Sequence, residues 1–367
     1  MEKHALHTPL CDLLGVRYPL VQAPMSGGPT TPELVAAVCE AGGFGVLAAF
    51  RVAPEDVRKQ IRAVRERTDR PFGVNVLLAP PEPGNRDAVP VQQVLNHLRR
   101  ELKLPEVSDA PALPPSQLQQ QIQVILEERV PVLSTAMGDP TPLVEPAHAA
   151  GAKVMAMVTT VAEAQAVAGA GVDIVLAQGA EAGGHRSTFR LGPDGEAALV
   201  GTMALVPQVA DAVRVPVVAA GGIADGRGLV ASLALGAAGA AMGTRFLVAR
   251  ESAAFPAYKQ RVLEADEAAT VVTRAFTGRP ARGIHNRVLD ALLAAKVEPL
   301  AWPLQALAAG DLYARAIAAG DADLYPLLTG QAVRLLKSDQ GAAEIVAEIV
   351  AQAEATLAQL AGHGPRS

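Results

Sequence analysis

The sequence predicts an α/β fold: a (β/α)8 TIM-like barrel with a smaller, mainly helical cap formed by an insertion and the C-terminal region. Strand and helix patterns alternate about eight times along the first 250 residues. Half of the 367 residues are hydrophobic but only 3% are aromatic, so Ala, Val and Leu must build the core. The first strand runs into Ser26-Gly27-Gly28-Pro29 rather than Gly-x-Gly-x-x-Gly, which argues against a doubly wound open sheet.

Short apolar runs mark the eight strands and amphipathic stretches mark the helices between them. The predicted strands are 19–25, 44–50, 71–78, 130–135, 153–158, 172–178, 215–222 and 238–243. The predicted helices are 33–40, 54–67, 141–150, 160–168, 205–213 and 226–235. Either Thr30 or Thr31 is expected to cap the first of these helices, ahead of Pro32.

Two regions interrupt this alternation and predict the cap. Residues 79–128 hold many prolines, mixed charges and two helical segments, more than a plain crossover needs. After Phe246 come a polar helix, a basic segment broken by Gly and Pro at 274–287, and a long amphipathic helix at 341–361. The predicted division is therefore a cofactor-binding barrel at 1–78 and 129–250, and a helical cap or substrate lobe at 79–128 and 251–367. A cap over the mouth would exclude water.

Composition excludes several classes of function. A formal net charge of −5 without a block of basic residues argues against a nucleic-acid surface. The first 14 residues lack the apolar core of a secretory signal, and glycines interrupt the longest uncharged run, so no membrane association is expected. Cys11 and Cys39 form no pairing motif, which favours reduced thiols in a cytoplasmic protein. No metal site is expected.

The sixth predicted strand ends in a glycine-rich turn that carries His185 and Arg186. Reactive groups in such barrels come from the C-terminal ends of strands. A histidine beside two glycines on a surface loop has no hydrophobic core to pack into, so we interpret His185 as a functional group rather than one that only hydrogen-bonds within the turn. Arg186 beside it would disfavour the imidazolium form. Glu181 is expected to cap a helix or to pair with Arg186, and His148 and His285 are expected to be structural or solvated.

The last two predicted strands end in glycines, which predicts a phosphate site. In barrels the loops after these strands commonly bring backbone N–H groups and a helix N-terminus together. The residues concerned are Gly221, Gly222, Ala241, Met242, Gly243 and Thr244. Three carboxamides at other strand ends, those of Gln22, Asn75 and Gln178, suit the alternating donors and acceptors of an isoalloxazine edge. FMN is therefore preferred to a sugar phosphate as the cofactor.

Five motifs cover the barrel from its first strand to its last: Gln22-Ala-Pro-Met-Ser-Gly-Gly28, Gly73-Val-Asn75, Ala177-Gln-Gly-Ala-Glu-Ala-Gly-Gly-His-Arg186, Ala219-Ala-Gly-Gly-Ile223 and Met242-Gly-Thr-Arg-Phe246. In these motifs the chain resembles the nitronate monooxygenase family, formerly called 2-nitropropane dioxygenases. The resemblance implies a barrel that holds FMN noncovalently, with His185 as catalytic base. The FMN contacts it implies are Gln22, Ala23, Pro24, Met25, Asn75, Gln178, Gly183, Gly184, Gly221, Gly222, Ala241, Met242, Gly243 and Thr244.

The resemblance also implies a reaction. Alkyl nitronates would be oxidised by O2 to carbonyl compounds and nitrite through an anionic flavosemiquinone, with propionate 3-nitronate and nitroalkanes as candidate substrates. For a neutral nitroalkane, His185 would first remove the α-proton. The partners expected are the small-molecule nitronate and O2, in a monomer or homodimer.

Two alternatives stay open at this point. Relatives that share the Gly-Gly-His turn and the Leu-Val-Pro-Gln-Val helix at 205–209 include NAD(P)H-dependent FMN reductases of the enoyl-acyl-carrier-protein reductase or quinone reductase type. A noncatalytic barrel that binds a phosphometabolite is the second alternative. Ala-Gln-Gly before Glu181 and the tail with Gly330-Gln331 favour the nitronate branch. Residues 134–138 lack the His and aromatics common there in the family, which predicts a different substrate pocket. Trp302, Tyr313 and Tyr325 are expected to pack in the cap, and shaping of the pocket is the alternative for each.

Overall fold

The computed structural model describes residues 4–337 and 340–362, and its centre is a closed barrel of eight parallel strands. The outer ends of the predicted ranges 1–78 and 251–367 therefore lie outside the described residues. The barrel strands are β1 (Leu20–Gln22), β2 (Phe44–Ala48), β3 (Gly73–Leu77), β4 (Val132–Ala136), β5 (Lys153–Val158), β6 (Ile174–Gln178), β8 (Val217–Ala220) and β9 (Gly239–Met242). Strand β1 pairs with both β2 and β9, which closes the ring and confirms the predicted fold.

Helices surround this barrel and cover its apolar strands. The helices along the barrel are α2 (Pro32–Glu40), α3 (Pro54–Arg65), α6 (Thr141–Ala149), α7 (Val161–Gly169), α8 (Thr202–Ala212), α9 (Gly226–Ala234) and α10 (Thr244–Leu247). Helix α1 (Pro9–Leu14) precedes β1, and Leu10 and Leu14 pack in the same buried cluster as Val21 and Phe44. The Thr31 hydroxyl accepts a hydrogen bond from Leu34 N, so Thr31 is the predicted cap of α2.

Two helices from the predicted cap ranges pack on the barrel instead. Helix α5 (Leu118–Glu127) contacts α3 and β3, and its buried Ile122 and Ile125 belong to the main barrel core. Helix α15 (Ala342–Gly362) contacts α9 and α2 through buried Ile345 and Ile349. Their apolar faces belong to the helical layer around the barrel. The sequence prediction placed both helices in the cap because they lie in regions that interrupt the alternation of strands and helices. The rest of the division into barrel and cap stays a prediction.

The remaining helices gather over one end of the barrel, and four of them share an apolar core. They are α4 (Ala88–Glu101), α11 (Pro256–Glu264), α12 (Arg287–Ala295), α13 (Leu304–Ala308) and α14 (Gly310–Ala319), with 3-10 turns at Ala322–Leu324 and Gln331–Leu335. Buried residues Val91 and Leu95 of α4 pack with Leu289 of α12 and Leu312 of α14. Helix α11 packs in a separate apolar cluster. No helix in residues 4–337 and 340–362 combines the length and apolar character that a membrane crossing requires.

A small antiparallel sheet joins the barrel mouth to these helices. Its order is β10 (Thr270–Thr273), β11 (Ala281–Ile284) and β7 (Gly184–His185). Within it, His185 pairs with Ala281. Sequence patterning gave only a broken basic segment at 274–287, because two- and four-residue strands rich in Gly and Arg show no apolar alternation. The sheet holds the backbone of the histidine turn against the C-terminal part of the chain.

Candidate active site

A cavity of about 560 Å³ opens at the C-terminal ends of the barrel strands, beneath the cap helices. Its volume lies in the range of small-molecule and cofactor sites. Thirteen of the fifteen predicted site residues line it: Ala23, Pro24, Met25, Asn75, Gln178, Gly183, Gly184, His185, Gly221, Gly222, Ala241, Gly243 and Thr244. The barrel thus brings together residues that are separated by more than two hundred positions in the chain.

The other two predicted contacts, Gln22 and Met242, do not line the cavity. Gln22 is fully buried, and its side-chain oxygen accepts a hydrogen bond from Val46 N at 3.2 Å while its amide donates to the carbonyl of Ala23. Met242 packs in the apolar cluster outside the barrel. Both side chains contact neighbouring protein groups, and their part in cofactor binding stays a prediction.

Glycines at the ends of β8 and β9 line the cavity. Gly221 and Gly222 adopt φ angles of +113° and +71°, which side chains rarely allow. A Cβ on Gly243 would meet the protein only at 3.8 Å, in ordinary contact with Ala23. The Thr244 hydroxyl accepts a hydrogen bond from Gly330 N at 2.9 Å, which leaves its own proton available for donation. This cradle fits a phosphate group of a bound flavin.

Close backbone packing seals the cradle on the side of the histidine turn. A Cβ on Gly183 would lie 2.5 Å from Thr329 C and 2.6 Å from Gly330 N. These atoms are backbone and cannot move aside cheaply, so only glycine lets the turn after β6 contact the segment at 329–330. The cavity wall between the imidazole and the cradle depends on this contact.

The His185 side chain is partly buried at the cavity wall, and a neighbouring hydroxyl is within hydrogen-bond distance of its ring. Its Nε2 lies 2.9 Å from the Thr277 hydroxyl, and its ring meets Trp302 edge-on at 5.0 Å between centroids. Desolvation and, secondly, the charge of Arg51 lower the pKa of His185 from 6.5 to about 4. The imidazole is therefore neutral at pH 7, the state that a general base needs.

Arg186 does not face His185, contrary to expectation. Its guanidinium is fully buried and donates to the carbonyls of Gln178 at 2.8 Å and Gly179 at 2.6 Å. It thereby fixes the end of β6, because backbone carbonyls that leave a strand need new partners. The cation whose charge acts on His185 is Arg51, in the turn after β2. Sequence reasoning missed Arg51, since a single arginine in a loop carries no pattern.

The predicted carboxamides play unequal parts. Asn75 is almost completely buried at the cavity and donates to the Ser134 hydroxyl at 3.0 Å. Gln178 accepts from Ser187 N and donates to the backbone carbonyl of His185, both at 2.9 Å, so it positions the histidine turn. Ser134 belongs to the segment that departs from the family pattern, and here it is the partner of Asn75.

Other candidate groups are structural, as the sequence indicated. Both carboxylate oxygens of Glu181 accept from Thr202 N, at 3.0 and 2.9 Å, and this caps α8. The two other candidate histidines lie outside the cavity, each beside a carboxylate, with 2.8 Å from His148 to Asp173 and 2.9 Å from His285 to Asp290.

Aromatic side chains from the C-terminal part of the chain form part of the cavity wall. Phe255, Tyr258, Tyr313 and Tyr325 all line it, with ring centroids 5.5 to 6.0 Å apart. The hydroxyls of Tyr258 and Tyr313 donate to backbone carbonyls, and burial raises the pKa of both phenols. Packing in the cap was the preferred expectation for Tyr313 and Tyr325, with shaping of the pocket as the alternative, and both residues line the cavity.

Comparison with known proteins shows which family the chain belongs to. The sequence model of the family described as nitronate monooxygenase matches residues 7–352. The chain belongs to this family. Probable nitronate monooxygenases from Staphylococcus saprophyticus and Staphylococcus aureus (strain Newman) are 38% and 37% identical to it. The first alignment covers 95% of this chain and 98% of the relative, and the second covers 89% and 92%.

Solved structures extend the comparison. Nitroalkane oxidase from Streptomyces ansochromogenes matches with a TM-score of 0.86 and 37% identity, over 96% of this chain and 99% of that one. FabK from Thermotoga maritima matches with a TM-score of 0.79 and 32% identity, over 98% and 100%. This member of the nitronate monooxygenase family is thus a flavin-dependent oxidoreductase with a small-molecule substrate, and its general activity is nitronate oxidation.

Proposed function

We propose that the chain binds FMN in the cavity and uses O2 to convert alkyl nitronates to carbonyl compounds and nitrite. One observation carries the proposal: the neutral imidazole of His185 and the glycine cradle at the ends of β8 and β9 open into the same enclosed space. When bound, FMN supplies the electron acceptor for the nitronate and the site at which O2 is reduced.

The protein's part is to hold the cofactor and to order the substrate. Backbone N–H groups at Gly222 and Gly243, with the Thr244 hydroxyl, would hold the FMN phosphate. Residues 23–25 and Asn75 would border the flavin ring, since they line the same cavity at the ends of β1 and β3. The aromatic side chains of the cap exclude water, which strengthens the electrostatic interactions inside.

For a neutral nitroalkane, His185 would accept the α-proton. His185 Nε2 lies 2.9 Å from the Thr277 hydroxyl, and that hydroxyl lies 3.4 Å from the carbonyl oxygen of Arg279. If the hydroxyl donates to this carbonyl, the imidazole would carry its proton on Nε2 and Nδ1 would be the basic nitrogen. A nitronate is already an anion and needs no such step. Propionate 3-nitronate and nitroalkanes are the substrates we propose to test first.

The test is a spectrum followed by turnover. We expect the purified protein to be yellow, to release FMN on heating, and to consume O2 and form nitrite when an alkyl nitronate is added. Colourless protein that cannot be reconstituted with FMN would contradict the proposal and favour a noncatalytic phosphometabolite-binding barrel. Sedimentation of the same sample would distinguish a monomer from a homodimer.

The similarity to FabK favours a second candidate, an NAD(P)H-dependent FMN reductase of the enoyl-acyl-carrier-protein reductase or quinone reductase type. Anaerobic addition of NADH or NADPH separates the two. Rapid loss of the yellow colour would favour the reductase. A spectrum that changes only when the nitronate is added would favour nitronate oxidation.

A further inference from the structure

Arg51 places a positive charge in the cavity without a partner. Arg51 lies in the turn after β2, and its exposed side chain lines the cavity. No residue in 4–337 or 340–362 forms a hydrogen bond or ion pair with its guanidinium. The guanidinium carbon lies 5.3 Å from the ring centroid of Phe50. Glu181 is the only carboxylate residue among the described lining residues, and Thr202 donates hydrogen bonds to both of its carboxylate oxygens. The cavity therefore has a free cation and no free anion.

The backbone at Arg51 has an unfavourable conformation that the surrounding structure enforces. Its φ angle is +60°, in the left-handed region that arginine rarely adopts. The side-chain amide of buried Gln121 donates to the carbonyls of Ala49 at 2.9 Å and Val52 at 2.7 Å, on either side of Arg51. Such enforced strain is concentrated at functional sites.

Arg51 and His185 both line the cavity. Arg51 follows β2, and His185 lies in β7, beyond the end of β6; strands β2 and β6 stand four places apart in the ring of eight. An aromatic path joins the two residues, since Phe50 stacks on Trp302 at 5.6 Å and Trp302 meets His185 at 5.0 Å. A small substrate within reach of His185 thus lies in the field of the Arg51 charge.

We propose that Arg51 is the specificity residue that binds the planar two-oxygen anion of the substrate, either the nitronate group or a carboxylate. A guanidinium matches such a group because its N–H donors lie in one plane and can form two parallel bonds. The assignment of the reaction rests on the proposed function, but anion binding at Arg51 does not.

Equilibrium binding tests the proposal without turnover. Trp302 is the single tryptophan of the sequence and lies between Phe50 and His185, so its fluorescence reports occupancy of this region. We would titrate the holoprotein with propionate and, as neutral counterpart, propionamide. We expect Arg51→Met to weaken propionate binding about tenfold or more, as loss of a charge-assisted pair implies. The matched control Arg70→Met, an exposed arginine outside the cavity, should leave it unchanged.

Failure of propionate to bind the wild type, or equal binding by wild type and Arg51→Met, would overturn the proposal. Steady-state kinetics then identify which anion is held. A KM raised about tenfold for both ethyl nitronate and propionate 3-nitronate supports the nitronate group, and a rise for propionate 3-nitronate alone supports the carboxylate. Unchanged KM for both substrates would overturn it. If the wild type oxidises neither, the proposed function fails while the titration still decides on Arg51.

A glycine variant tests whether the strained backbone serves the side chain. Because glycine accepts positive φ, Arg51→Gly should raise the melting temperature while it abolishes the response to propionate. A lower melting temperature would instead show that Arg51 is retained for packing on Phe50. Flavin content should equal that of the wild type. Loss of flavin would assign Arg51 to the cofactor and contradict the proposal.

Discussion

Replacing His185 with asparagine should separate two kinds of substrate. The imidazole is the neutral group that we assign to removal of the α-proton, and a positioned general base contributes about 10²- to 10⁴-fold to such a step. We expect His185→Asn to lower kcat/KM for a neutral nitroalkane by roughly that factor. For the preformed nitronate of the same compound the loss should be less than about tenfold, since no proton has to be removed.

The pH dependence of kcat/KM is a second test of the role of His185. The pKa of His185 is lowered from 6.5 to about 4, mainly by desolvation, so the base stays neutral well below pH 7. With a pKa near 4, about 1% of the imidazole is protonated at pH 6, whereas an unshifted histidine would be about three-quarters protonated. Protonation of His185 should therefore not reduce wild-type kcat/KM for the nitroalkane at pH 6, whereas an unshifted histidine would reduce it about fourfold relative to neutral pH.

Oxygen consumption measures both effects with one set of reagents. The nitroalkane and its nitronate are assayed separately from pH 5 to pH 8, with flavin content determined for each preparation. Gln208→Asn, a change on an exposed side chain of α8, serves as the control variant. An equal loss on both substrates, with flavin retained, would refute proton abstraction by His185. An acid limb near pH 6.5 that His185→Asn abolishes would refute the lowered pKa.

Three further changes test the scaffold. Gly183→Ala should reduce flavin content and destabilise the fold by about 1–3 kcal/mol, because its Cβ would meet Thr329 C at 2.5 Å; flavin release and urea unfolding check this. Gly226→Ala should lower the unfolding free energy by a similar ~1–3 kcal/mol, since its Cβ would lie 2.5 Å from Ile349 O in α15; a urea midpoint equal to wild type would contradict the packing of α15 on the barrel. Gly169→Ala meets no atom within 4 Å, so it should be neutral or stabilising in the same assay. Finally, between pH 6.5 and about 4 the unfolded chain binds a proton at His185 that the native apoprotein does not. Stability should therefore fall by about 3 kcal/mol as pH is lowered across that window, and the fall should be smaller by that amount in His185→Asn.

The barrel could be predicted from sequence because its strands are buried on both faces and read as continuous apolar runs. Lys153–Val158 is placed correctly to the residue. The predicted first strand, 19–25, overran β1 because Ala23-Pro-Met25 continues the apolar run after the ladder has ended. The small sheet with Gly184–His185 could not be found, since a two-residue strand shows no period. Helix α15 was predicted as a helix, but its packing against α9 and α2 is a tertiary contact that a local sequence pattern does not reveal.

The parts of the candidate site that could be predicted from the sequence are the glycines that directly follow barrel strands. Strand-end glycines such as Gly222 and Gly243 follow from the topology, and so does His185. The direction of each side chain could not be predicted from the topology. His185 and Arg186 are adjacent, but His185 lines the cavity, whereas the guanidinium of Arg186 donates to buried backbone carbonyls. Arg51 was missed because its importance comes from a φ of +60° and from its place after β2, four places from β6 in the ring of eight.

The central claim is that FMN is held by its phosphate in the glycine cradle, with its ring between that cradle and His185. A crystal structure of the protein with its bound flavin tests this most directly. We expect the phosphate within hydrogen-bond distance of Gly222 N, Gly243 N and the Thr244 hydroxyl, and the His185 imidazole facing the ring. A phosphate bound elsewhere, or an imidazole turned away from the ring, would contradict the account.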